Sequence, residues 1–152
     1  VAEMLGYSKI DFISNNVYKQ FRDSEHYKES LQKIHDNDID WNIFQDVSFV
    51  ETLFHCKGMI NSGYSMAQMI KDYSPSNVSE LAILIAIKMP AKKHLIGKKW
   101  EVIKDKIWEK EFQNVVQFKK SHAIAYAFVV LLDAIVKSER KYTIKSFDDF
   151  FV

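Results

Sequence analysis

Apolar residues along this chain recur mostly at helical rather than strand spacing, and the 4 glycines and 2 prolines punctuate it sparsely. Residues 8–13 form the best strand candidate, because Ile10 and Phe12 alternate with Lys9 and Asp11. Val17, Phe21, Leu31 and Ile34 then supply the apolar stripe of a helix over about 16–35, ended by Asp36-Asn37-Asp38. A second helix is expected over 49–55, a loop from Gly58 to Gly63, and a short helix over 65–72 closed by Ser74-Pro75. Asn77-Val78-Ser79-Glu80 fits a capping box that opens an apolar helix over 81–88, and Pro90 stops it. Two further helices are expected, over about 97–118 and 121–140. In the last, Ala123, Ala127, Val130, Ala134 and Val136 permit close packing. The expected fold class is therefore mainly α, an irregular helical module with at most one or two short N-terminal strands.

Length adds that 152 residues fit one domain, which buries roughly two thirds of its unfolded surface around one core. A single cysteine, Cys56, excludes an internal disulfide and a cysteine-rich zinc site, and the histidines show no H-E-x-x-H spacing. A reducing, cytoplasmic location is the resulting expectation. The longest uninterrupted apolar run, Ala123 to Leu132, stops at Asp133, short of the roughly 20 residues a bilayer needs, so no membrane partner is expected. The first residues, Val-Ala-Glu-Met-Leu-Gly, carry no basic start followed by an apolar stretch, as a signal peptide would. The chain does not open on methionine and stops abruptly at Asp148-Asp149-Phe150-Phe151-Val152, which points to a piece of a longer protein.

A net charge of +1 conceals an asymmetry. Residues 1–60 hold ten acids against six Lys/Arg. Residues 88–120 hold ten lysines, at 88, 92, 93, 98, 99, 104, 106, 110, 119 and 120, against Glu101, Asp105, Glu109 and Glu111. A basic block on a near-neutral chain reads either as a polyanion contact or as a solvated lysine-rich face. Trp100 and Trp108 interleave with it as core anchors or stacking platforms.

The richest stretch runs from Phe118 to Ala127, where Lys119-Lys120-Ser121-His122 opens a helix of small residues. Unpaired backbone N–H groups and the helix dipole already favour negative charge at such an end, and these side chains add charge and donors. The plain alternative is an ordinary capped helix with its lysines in water. Other chemistry is thin: there is no G-x-S-x-G elbow, P-loop or G-x-G-x-x-G. Cys56 beside His55 reads as a buried structural thiol rather than half of a nucleophile–base pair. Met59, Met66, Met69 and Met89 read as core filling. Asp38-Ile39-Asp40 has a spacing that would aim two carboxylates to one strand face as a metal pair, with a loop or helix cap as the other reading.

Several segments, in order, resemble one family: the replicative DNA polymerase III alpha subunits of bacteria and their phages, the C family of DNA polymerases. Lys9-Ile10-Asp11-Phe12-Ile13 looks like the strand at the end of that family's palm, and Asp38 to Ile43 like the acidic stretch before its fingers. Residues 70–82 resemble the fingers segment that leads into a glutamate/aspartate-leucine helix. Phe118 to Tyr126 resembles the lysine-(serine/alanine)-histidine-alanine-alanine-tyrosine motif, the most specific of the four. The resemblance covers about residues 9–137.

What the resemblance implies is nucleotidyl transfer from a dNTP to a primer 3′-hydroxyl, with two magnesium ions held by palm aspartates. Asp11 would be the catalytic, metal-binding aspartate, matching the last of the family's three. Lys88, Lys119, Lys120, Ser121, His122 and Tyr126 would bind the incoming nucleotide, while Lys92, Lys93, Lys98 and Lys99 would contact nucleic acid. Residues 1–13 would end the palm, and 14–152 would form a fingers-like region of one compact unit. Its partners would be DNA template-primer, dNTP and the remainder of the polymerase chain, in a bacterial or phage-infected cell. This chain departs from the family in two places. Lys88-Met89-Pro90-Ala91 stands where many members have arginine-proline-glycine-proline, losing the guanidinium fork. The stretch between Lys88 and Lys119 is also far shorter than theirs. No segment matches the two upstream palm aspartates, and one aspartate cannot hold two magnesium ions. The competing reading is a non-catalytic helical module that binds nucleic acid or a protein through the 88–120 lysine block.

Overall fold

The computed structural model describes residues 16–61, 63–109 and 119–148, with side chains as far as Lys141. A 3-10 turn at Val17–Gln20 leads to α1 (Ser24–His35), a second 3-10 turn at Trp41–Gln45 and the single-turn α2 (Val47–Val50). Strands β1 (Met59–Asn61) and β2 (Tyr64–Ser65) form an antiparallel pair, followed by α3 (Met66–Tyr73) and α4 (Val78–Ile87). A 3-10 turn at Pro90–Leu95, α5 (Trp100–Lys106) and the long α6 (Lys120–Asp148) complete the described order. The mainly helical expectation holds. Its candidate strand at 8–13, with Asp11, lies outside the described residues; β1 occupies part of the segment read as a loop, and β2 follows that loop, ending on the first residue of the helix expected over 65–72.

Residues Leu81 to Ile87 of α4 are all buried. A helix apolar around its whole circumference has no water-facing side, so it sits at the centre and the other elements pack around it. Its main partner is α6, against which α1 and the Val17–Gln20 turn also lie. Ala123, Ala127 and Ala134 of α6 are fully buried, and their small side chains permit a close helix–helix approach.

Side-chain caps decide where several helices begin. The helix expected over 16–35 is broken because Asp23, in extended conformation, accepts from the backbone N–H of His26 at 2.8 Å and starts α1 only at Ser24. Asp46 likewise accepts from Phe49 N–H at 3.1 Å, so α2 begins ahead of the expected position. The Asn77 side-chain oxygen Oδ1 accepts from Glu80 N–H at 3.0 Å as the capping box requires. The Glu80 carboxylate reaches one residue further back, however, accepting from the backbone N–H and hydroxyl of Ser76 at 2.9 Å each. Burial pulls the Glu80 carboxyl upward, but Lys104 at 2.6 Å and the Ser76 donors together hold it below the usual range.

Helix α5 is shorter than the expected 97–118, of which residues 110–118 lie outside the described set. Gly97, at φ +81, makes a turn that an L side chain rarely adopts, and this delays the helix start to Trp100. At the other end the ammonium group of Lys92 donates to the carbonyls of Lys106 at 3.2 Å and Glu109 at 2.7 Å, closing the last turn.

By length and composition alone, Lys120–Lys141 of α6 could cross a membrane, with a mean hydropathy of 1.4. The uninterrupted-run count in the sequence had not registered it, because Asp133 divides the stretch. Much of that stretch, including Val130, Leu131 and Ala134, is buried within the chain's own core, and Ile124, Ala125, Tyr126 and Phe128 are half-buried.

Candidate functional site

The start of α6 is where cationic side chains were expected to gather. The Lys119 carbonyl accepts from Ala123 N–H at 3.1 Å, so the helix opens one residue before Ser121. Lys119, Lys120 and Ser121 are exposed and His122 is half-buried. Lys119, His122 and Tyr126 share a helix face by their spacing of three and four residues. Lys120 turns aside, with its Nζ 6.0 Å from the centroid of the Trp108 ring. Phe118, the first residue of the motif, lies outside the described set.

Tyr126 faces inward onto the segment around His55, the far end of the helix expected over 49–55, which in the structure stops at Val50. Its ring stacks on that of His55 at 4.6 Å and 12°, and Phe54 stacks on the other two rings at 5.4 and 6.1 Å. His55 is held in the left-handed region at φ 64, a conformation uncommon outside glycine that costs on the order of 1–3 kcal/mol. The Lys88 ammonium, at the end of α4, reaches the His55 carbonyl at 3.5 Å. Two of the expected nucleotide-binding residues, Lys88 and Tyr126, thus converge on one histidine.

A buried carboxylate holds this segment in place. Asp133 is 1 % exposed, and its oxygens accept from Gln20 Nε2 at 2.9 Å, Phe54 N–H at 2.8 Å and Lys137 Nζ at 2.9 Å. Lys137 also donates to the Thr52 carbonyl. Residues 52–55 are therefore clamped to α6 by backbone groups at both ends. Neither His55 nor Asp133 stood out as a site residue in the sequence. The available signal was a lone acid inside an apolar helix, since a buried charge needs partners.

Burial, reinforced by the nearby Lys88 charge, holds the His55 imidazole below its ordinary pKa of 6.5. The folded state thus prefers neutral His55, and the unfolded chain takes up its proton first on acidification. The His55 contribution to stability is complete above about pH 6.5 and declines as pH falls from there toward the lowered folded value. Urea unfolding of the wild type and His55→Asn between about pH 7.5 and 5 should give a steeper decline in the wild type. Parallel curves would assign that pH dependence to other groups.

The basic block divides on folding. Lys93, Lys98 and Lys99 are exposed, as are Lys104 and Lys106. Lys92 is not part of that surface: it is 7 % exposed and bonded to the end of α5, so the expectation of Lys92 as a nucleic-acid contact is corrected by its burial. Trp100 and Trp108 are partly buried and pack against the core. Trp100 also tilts against Tyr73 at 5.4 Å and carries Lys104 at 5.0 Å over its ring.

The remaining candidates have structural roles. Asp40 accepts from Asn42 N–H at 3.0 Å and caps the Trp41–Gln45 turn, the second of the two readings of Asp38-Ile39-Asp40. Among the described residues, no three His, Cys, Asp or Glu side chains group to hold a metal ion. Cys56 is fully buried, and burial pushes its thiol up to about 12, so little thiolate forms near neutrality. Met66 and Met69 fill the core, whereas Met59 is 59 % exposed. No family model, curated protein or solved structure matches this chain.

Proposed function

We propose that this chain is the fingers region of a C-family DNA polymerase, gripping the phosphates of an incoming dNTP and the template-primer during DNA synthesis. The observation that carries this reading is the motif from Lys119 to Tyr126. It supplies exposed Lys119, Lys120 and Ser121 at the N-terminal end of a 29-residue helix, and its tyrosine meets Lys88 at His55. Charge develops on phosphate oxygens during phosphoryl transfer, and lysines beside a helix N-terminus stabilise it electrostatically without any nucleophile. Magnesium would supply primer activation and charge neutralisation in the complete enzyme. Asp11, the residue that the resemblance assigns to it, lies outside the described residues.

In this reading the side chains of this chain bind and orient. Lys119 and Lys120 draw the triphosphate to the helix end, and the Ser121 hydroxyl adds a donor. Lys88 approaches from the end of α4. A nucleotide-specific effect tests the proposal: dATP with magnesium chloride should shift the amide resonances of residues 119–126 in the protein. Lys120→Ala should weaken that response by about 3- to 10-fold, the cost of one charge-assisted contact to phosphate.

A second reading, nucleic-acid binding without catalysis, is favoured by the exposed Lys93, Lys98 and Lys99 beside the Trp100–Tyr73 pair. It predicts affinity for any DNA that falls steeply with salt, and no response to dATP. Replacing Lys98 and Lys99 by alanine would then reduce the slope of log K against log salt by about 2. A dATP response with no such slope would reject this second reading, and the opposite pair of results would reject the first.

A further inference from the structure

We propose that His55 is a positioning residue for the nucleotide site, fixing Tyr126 and Lys88 relative to each other; this rests on the polymerase reading above. Tyr126 belongs to the second turn of α6 and Lys88 to the end of α4. His55 touches both, with its ring on Tyr126 at 4.6 Å and its carbonyl oxygen 3.5 Å from the Lys88 ammonium. The residue is itself fixed. Phe54 stacks on it, the Phe54 amide is bonded to buried Asp133, and its backbone is held at φ 64. Histidine, with asparagine and aspartate, is one of the few side chains besides glycine enriched at such a φ, and here its ring is stacked with those of Phe54 and Tyr126.

The chemistry of the two contacts differs in a useful way. Stacking removes ring freedom from Tyr126 before any ligand arrives, and preorganisation of this kind lowers the entropy lost on binding. The Lys88 contact is long, and its acceptor is a neutral carbonyl. A phosphate oxygen offers a stronger, charge-assisted partner, so Lys88 can exchange one for the other without leaving the end of α4. His55 thereby parks the lysine near the site without competing with the ligand.

The test uses the whole chain, with dATP and magnesium chloride as the probe and the amide resonances of residues 119–126 as the readout. His55→Asn tolerates the left-handed backbone but removes the ring, and it should weaken binding by about 2- to 10-fold, the equivalent of one lost aromatic pair. In the nucleotide-free protein it should also shift the Tyr126 ring resonances. His55→Phe restores a stacking ring and should recover most of the affinity. Lys88→Met, which keeps an unbranched side chain at the half-buried end of α4 but removes the charge, should weaken binding independently. Equal affinity of wild type and His55→Asn overturns this inference and leaves the polymerase reading standing. Failure of His55→Phe to recover any affinity in a folded protein reduces His55 to a general structural role and also overturns it. A wild type that does not respond to dATP overturns both readings together.

Discussion

Replacement of Asp133 by alanine is expected to lower the free energy of unfolding by about 3–5 kcal/mol, the range for removing one partner of a buried charged network. The carboxylate side chain is 2 % exposed and receives Lys137, Gln20 and the Phe54 amide. Its loss leaves the Phe54 N–H inside the protein with no acceptor, and a buried unsatisfied donor costs more than an average hydrogen bond contributes. Lys137→Met should cost far less, about 1 kcal/mol, because that ammonium is partly exposed and Asp133 keeps its other donors. Urea denaturation of the two variants provides the comparison. An alanine variant within about 1 kcal/mol of wild type would mean that water or a rearranged Lys137 replaces the clamp. Since Asp133 also anchors the segment bearing His55, the same variant should disturb the Tyr126 ring signals.

The second large effect concerns the central helix. Leu84 of α4 is fully buried among neighbours that are themselves fully buried, including Ile85 and Ile87 within a percent of zero exposure. Close packing leaves such a site little room to collapse, so Leu84→Ala should cost about 2–5 kcal/mol, combining lost transfer energy with a residual cavity. Val102 on α5 is 39 % exposed, and Val102→Ala should stay within about 0.5 kcal/mol of wild type. Thermal or urea unfolding that returned similar losses for both would contradict a core centred on α4.

Particular elements explain how far the sequence could be read. The stops at Ser74-Pro75 and Pro90 and the Asn77 cap were legible because their causes are local: a left-handed Ser74 at φ 46, a proline at the first position of the next turn, and a side-chain oxygen three residues from its donor. The break at Asp23 was equally local but was hidden by the apolar stripe running through it. The β1–β2 pair was missed because each strand is very short, at 3 and 2 residues, too brief for a two-residue period to register. Among the site residues, the exposed Lys119 and Lys120 could be anticipated from a helix start rich in lysine. The meeting of Lys88, His55 and Tyr126 could not, because it joins segments 33 and 71 positions apart, and no periodicity encodes such a contact.

Taken by itself, the sequence determined the helical class, several helix ends and the existence of a basic stretch, since propensity, capping and charge act over a few neighbouring residues. Only the tertiary structure decided which lysines face water and which are consumed. Lys92 is buried and closes the end of α5, while Lys93, Lys98, Lys99 and Lys104 remain exposed, the last of them paired with Glu80. It likewise decided that Asp133, an interruption in an apolar run, is the clamp behind His55. The reason is physical: a charge buried by packing needs partners, and in a folded chain those partners come from segments that burial, not sequence order, brings together.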